Sequence, residues 1–190
     1  MTGSLRELRR RRANVARRLV AGAPALANHL EWHDLDAAPG WLAASDEQLA
    51  RFCCRVGALA CAPAIRLWID KPRIAAAREA VGLEYLQRLL ASHEAQAPLP
   101  GDLFDGPLMN RAEQITPALR ANGCAVLLAT LPEGPLRAAM TALWSPVQPS
   151  ELAPVLAQMM VERAAELAAE ARPAEPSSAS SSTEPASEPR

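Results

Sequence analysis

The side chains in this sequence that could do chemistry are three histidines, four cysteines and a dense run of arginines. His29 and His33 stand four apart, a spacing that would bring both imidazoles to one face of a helix. Two imidazoles so placed can begin a zinc site. Here Leu-Glu-Trp separates them, so the glutamate does not directly follow the first histidine as in the zinc-protease motif. Asp34, Asp36 or a distant cysteine would have to complete the ligands in space, and none is spaced as a third ligand. Exposed or hydrogen-bonded histidines are the expectation, with no metal and no cofactor.

Cys53 and Cys54 are adjacent, and Cys53, Cys61 and Cys124 fall within apolar patterns. That spacing is no disulfide framework; it predicts reduced, buried thiols in a cytosolic protein. The sequence holds no Gly-rich phosphate loop, no G-x-S-x-G elbow, no HExxH and no CxxC pair. No catalytic residues are therefore assigned, and a non-enzymatic protein is expected.

The arginines are the strongest remaining signal. Seven lie between Arg6 and Arg18, whereas Glu162, Glu166 and Glu170 make the other end acidic, under a net charge of −1. Positive charge in the first turns of a helix opposes its dipole, at about a few tenths of a kcal/mol per residue. A solvated basic face is the bland explanation. An anionic partner is the functional one, with Arg9 and Arg12 as contacts. Pairing of the two ends is a third, with Arg9, Arg12 or Arg17 facing Glu162, Glu166 or Glu170. Phosphate affinity would also suit a small helical nucleic-acid-binding regulator. Against that, Arg66, Lys71, Arg73, Arg78 and Arg88 are scattered rather than gathered on one recognition helix.

The elements that must position these groups are helices. The chain has 190 residues, 49% of them hydrophobic, 22% charged and only 4% aromatic, so its core must be mainly Ala, Leu and Val. Ser45 with Gln48 is a capping box, and Leu49, Phe52, Cys53, Val56, Leu59 and Ala60 then repeat as one buried face. Pro63 and Pro72 suit first turns, the latter after Asp70; Ile74, Ala77 and Val81 line that helix until Gly82 interrupts it. Tyr85, Leu86, Leu89 and Leu90 form a further turn or short helix. Leu5, Leu8, Val15 and Leu19 predict an amphipathic first helix, broken near Gly22 and Pro24; that break argues against an export signal. Residues 25–44 are transitional. Within them Pro39-Gly40-Trp41-Leu42 is a turn delivering an apolar pair, either a staple onto the next helix or a partner-binding anchor.

Residues 95–106 read as a loop between two helical lobes, about 1–94 and 107–172. Pro107 opens a helix carrying Leu108, Met109, Ala112 and Ile115, and Thr116-Pro117 starts the next. That next segment, to Leu131, predicts a central buried helix, with a strand from Ala125 as the alternative and Gly123 as a packing point or a break. Leu136, Met140, Leu143 and Trp144 make another short helix. The last, from about Ser150 to Arg172, sets Leu152, Val155, Leu156, Met159, Met160 and Leu167 on one face. Residues 173–190 are Pro, Ser, Glu and Ala with no large apolar side chain, and disorder is expected. No apolar run approaches the roughly 20 residues needed to span a bilayer. The fold class expected is all-α, a multi-helix bundle.

The segment RFCCRVGALACAPAIRLWIDKPRIAAAREAVG resembles the SctK family of type III secretion proteins, particularly its plant-pathogen (Hrp) branch. Pro39-Gly40-Trp41-Leu42 matches the family's Pro-x-Trp-Leu element, and LRANGCAVLLATLPEGPLRAAMTALWSP extends the similarity, so that roughly residues 35 to 147 are covered. Relatives often carry His before that proline, where this chain has Ala38. The resemblance implies a non-catalytic accessory subunit of the cytoplasmic sorting platform. It would link an SctQ-type cytoplasmic ring protein to an SctD-type inner-membrane ring protein, with Trp41, Leu42 and the Arg-rich first helix in partner contact.

Overall fold

Ser45 starts the helix around which the molecule is built. In the computed structural model, which describes residues 2–92 and 110–171, the Ser45 hydroxyl accepts from the Gln48 amide at 3.2 Å. Gln48 Oε1 in turn accepts from the Ser45 amide at 3.1 Å, completing the capping box. Eleven helical elements follow one another, and no strand occurs among the described residues. They are α1 (Thr2–Gly22), α2 (Pro24–Ala27), α3 (Trp32–Ala37), a 3-10 turn (Gly40–Ala43), α4 (Asp46–Ala60), α5 (Ala62–Arg66), α6 (Lys71–Val81), α7 (Leu83–Ala91), α8 (Ala112–Thr130), α9 (Pro135–Leu143) and α10 (Pro154–Glu170).

The first apolar interior is a pairing of α4 with α8, flanked by α6 and α10 and closed by α5 and α7. Leu49, Cys53, Val56, Leu59 and Ala60 of α4 are all buried, as their spacing predicts, and Phe52 is half-buried at the edge. The two helices touch at glycines. A β-carbon added at Gly57 would overlap the Leu119 carbonyl, and one at Gly123 would overlap the Cys53 carbonyl. Gly123 is thus a packing point, not a break. Asp70 caps α6 by accepting from the Arg73 amide at 2.9 Å. Gly82 joins α6 to α7 at φ +94°, a backbone conformation that side chains rarely adopt.

The second interior lies under α1. Val15 and Leu19 pack with Leu35, Ala38, Leu42, Leu131, Leu136, Ala139 and Met140, joining α1, α3, the 3-10 turn and α9. The two interiors do not divide at residues 95–106, because each draws side chains from both sides of that segment. They meet along α8, where Leu127 faces the first and Leu128 the second. Trp41, Trp144 and Val147 lie against both.

Several expectations need correction. Pro117 does not start a helix: α8 begins at Ala112 and runs through it, forgoing one hydrogen bond near its N-terminus. The segment from Ala125 to Thr130 is helical throughout, so the strand alternative fails. On α10 the inner face is Ala157, Met160, Val161, Ala164 and Leu167, which turns Val155 and Met159 outward, 73% and 60% exposed. Leu152, Met160 and Leu167 of the expected stripe are buried and Leu156 packs at its edge, while the alanines Ala157 and Ala164 complete the inner face in place of Val155 and Met159. Leu5, expected on the buried side of α1, is exposed. The expected loop 95–106, the opening turn from Pro107 to Met109 and the tail 173–190 lie outside the described residues.

Candidate functional site

Of the groups singled out as chemically able, the histidines come apart first. His29 sits in the turn after α2 and His33 inside α3, so they share no helix face. His33 instead lies 3.3 Å from Glu31 Oε2 and 3.4 Å from Asp34 Oδ1. Among the described residues no three His, Cys, Asp or Glu side chains gather as metal ligands would. The four cysteines are free and buried. Cys53 donates toward the Cys124 sulfur, and this with burial pushes its thiol pKa up; burial, aided by the neighbouring Cys124, raises Cys54 against the opposing charge of Arg120. Cys61 is pushed up to about 12 by burial, although Asn122 Nδ2 donates to its sulfur at 3.2 Å. Cys53, Cys54 and Cys61, so raised, are poor nucleophiles at neutral pH, whereas the hydrogen bond from Cys53 lowers the buried Cys124 thiol.

The arginines of α1 divide into two sets, and helix geometry decides which. Arg11, Arg12 and Arg18 flank the buried Val15–Leu19 stripe and reach across to the chain that follows. Arg11 Nη2 donates to the Ala38 carbonyl. Arg12 forks onto Asp36, with Nη2 at 2.6 Å from Oδ2 and Nε on Oδ1. Arg18 donates from Nη1 to the Leu42 carbonyl and from Nη2 to the Ala44 carbonyl at 2.5 Å and to Asp46 Oδ1 at 2.8 Å. These bonds strap residues 36–46 across α1 and satisfy carbonyls at the end of the 3-10 turn.

Arg6, Arg9, Arg10 and Arg17 make none of these bonds. All four are exposed, and among the described residues none has a carboxylate within ion-pair reach. Arg6 and Arg10 line, with Arg11 and Asn14, a concavity of about 690 Å³ against Gly40–Ala44. Arg12 does not face the last helix; it is committed to Asp36, while Glu166 and Glu170 pair with Arg163 and Glu170 also with Arg88. The expected pairing of the two chain ends is therefore replaced by local pairs.

Trp41 and Leu42 were expected as either a staple onto the next helix or a partner-binding anchor; both instead turn inward, Leu42 into the interior under α1 and Trp41 onto Trp144 at the end of α9. Leu42 is fully buried, and Trp41 is half-buried with its ring stacked on Trp144 at 6.0 Å between centroids. Among the described residues the aromatic side chain left in solvent is Trp32, at 73% exposure, beside Val20 at 57%. Both border an apolar groove between α1, α2 and α3. Nothing in the sequence marks Trp32: it opens a six-residue helix too short to display an apolar periodicity. Among the described residues no helix is long and apolar enough to cross a membrane. Comparison with known proteins yields no match: no family model fits the sequence, and no curated protein or solved structure is significantly similar to it.

Proposed function

We propose that this chain is a non-catalytic adaptor of the cytoplasmic sorting platform of a type III secretion system, linking an SctQ-type ring protein to an SctD-type inner-membrane ring protein. The resemblance over residues 35 to 147 supports the choice of system. The observation that carries the adaptor reading is the division of labour along α1: three arginines hold the fold together, and Arg6, Arg9, Arg10 and Arg17 are exposed with no ion-pair partner among the described residues. An unpaired basic face on a well-packed helix is suited to steer an acidic protein surface into place. Arg9 stays in the proposed contact. Arg12, Trp41 and Leu42 leave it, because each is engaged inside the molecule.

Co-purification of the full chain with both ring proteins tests this. Wild type is expected to retain them, and reversing Arg6, Arg9, Arg10 and Arg17 to Glu is expected to weaken at least one contact about tenfold or more without loss of helicity. Failure of wild type to hold either protein rejects the reading. The same exposed arginines favour the nucleic-acid regulator as second reading; a DNA probe shifted with affinity falling steeply in salt would replace the adaptor with it.

A further inference from the structure

We infer that the groove between α1, α2 and α3 is the seat for an acidic amphipathic helix of a partner protein. This deepens the adaptor reading by naming the surface, and takes from that reading only that the partner is a protein. The groove encloses about 700 Å³ and is floored by Ala16, Val20, Ala27, Leu30, Trp32 and Leu35. Of the four tryptophans, Trp41, Trp68 and Trp144 are half-buried in the apolar interiors, and Trp32 alone is exposed. A large aromatic held on the rim of an apolar groove is the side chain most often found at the energetic centre of a protein interface.

The charge around the groove selects the occupant. Its acidic side chains are already engaged: Glu31 accepts from the α3 N-terminus and lies against His33, and Asp34 accepts from the Glu31 amide at 2.9 Å. On the α1 side, Ala16 and Val20 line the groove, and helical periodicity sets Arg9, Ala13 and Arg17 beside them on one outward strip, just beyond the lining. That strip rises about 16 Å from Arg9 to Val20, about three turns. A helix of roughly a dozen residues would lay an apolar stripe over Val20, Leu30 and Trp32 and turn carboxylates to Arg9 and Arg17. The strap from Arg12 to Asp36 fixes α3 against α1, so the groove is formed before anything enters it.

The test uses the full chain and two labelled synthetic peptides of about 18 residues, each a helix with one leucine stripe. One peptide flanks the stripe with glutamate and the other with lysine. By fluorescence anisotropy the glutamate peptide is expected to bind at least about tenfold tighter than the lysine peptide. Trp32→Ala and Val20→Ser, both at exposed positions, should each weaken it about tenfold with circular dichroism unchanged, and Arg9→Glu with Arg17→Glu should invert the preference. Absence of saturable binding, equal affinity for the two peptides, or indifference to Trp32→Ala overturns the inference. So does self-association in sedimentation that Trp32→Ala abolishes, which would assign the groove to a second copy. Ring proteins that bind while the glutamate peptide does not would sink the groove and leave the adaptor standing. The reverse result would keep the groove and sink the adaptor.

Discussion

Gly57 and Gly123 face each other across the α4–α8 crossing, and a β-carbon built on either comes to 3.0 Å from the backbone nitrogen of the other. Each would also run into a carbonyl of the opposite helix, Leu119 for the first and Cys53 for the second. The central helix pair is close because both residues lack a side chain.

Gly57→Ala and Gly123→Ala should therefore each destabilise the protein by about 1–3 kcal/mol, the usual range for overpacking. In a helix without this constraint the same change would stabilise by about 0.5–1 kcal/mol. Urea denaturation gives the sign directly, and a stabilised variant would contradict the close crossing.

Arg18→Ala should cost about 2–3 kcal/mol, since a cationic donor is lost from partly buried carbonyls at the end of the 3-10 turn. Arg18→Lys should recover only part of this, because an ammonium cannot span Leu42, Ala44 and Asp46 as the guanidinium does. Arg17→Ala, one residue away and exposed, should leave the urea midpoint within experimental scatter.

Trp41→Ala should act on stability. The loss expected is about 2–4 kcal/mol for a half-buried indole at the seam of two interiors. A double-mutant cycle with Trp144→Ala should show a coupling of about 0.5–1.5 kcal/mol from the stacked pair. A coupling near zero in urea titrations would mean that the rings do not share that contact.

Stability should fall at both ends of the pH scale for different reasons. The Asp70 carboxyl is held below its ordinary range, first by the hydrogen bond from the Arg73 side chain, so its contribution is present above the ordinary carboxylate pKa and is lost as pH falls through the lowered value. Asp70→Asn should remove that acid response. The Cys61 thiol is raised, so its contribution is complete below the ordinary thiol pKa and fades as pH climbs from about 9 toward about 12. Denaturation midpoints measured from about pH 2 to about pH 12 should show both shoulders, and Cys61→Ala should flatten the alkaline one.

What the sequence made legible follows from how local each signal is. The Ser45–Gln48 box, the Asp70 cap and the first-turn prolines Pro63 and Pro72 are settled within four residues and appear where their spacing predicts, whereas Pro117 lies inside a helix. On α10 Met160 and Leu167 were legible, but Ala157 and Ala164 were not, because alanine marks an inner face only once the neighbouring helix is known. The arginines of α1 are alike in sequence; only the placement of Asp36, Ala38 and the 3-10 turn separates the three that brace the fold from the four that do not. Trp41 and Trp144 are about a hundred residues apart, and no periodicity announces their stack.

Leu127 and Leu128 are neighbours on one helix that serve separate apolar interiors. Any fluctuation that unwinds this turn of α8 opens both at once, so neither half offers a refuge in which the other could come apart. Heating should accordingly produce a single calorimetric peak, its area matching the enthalpy drawn from its width. Removing the first helix to obtain a simpler fragment would leave Leu128 lining an open wound, and such a fragment is expected to aggregate.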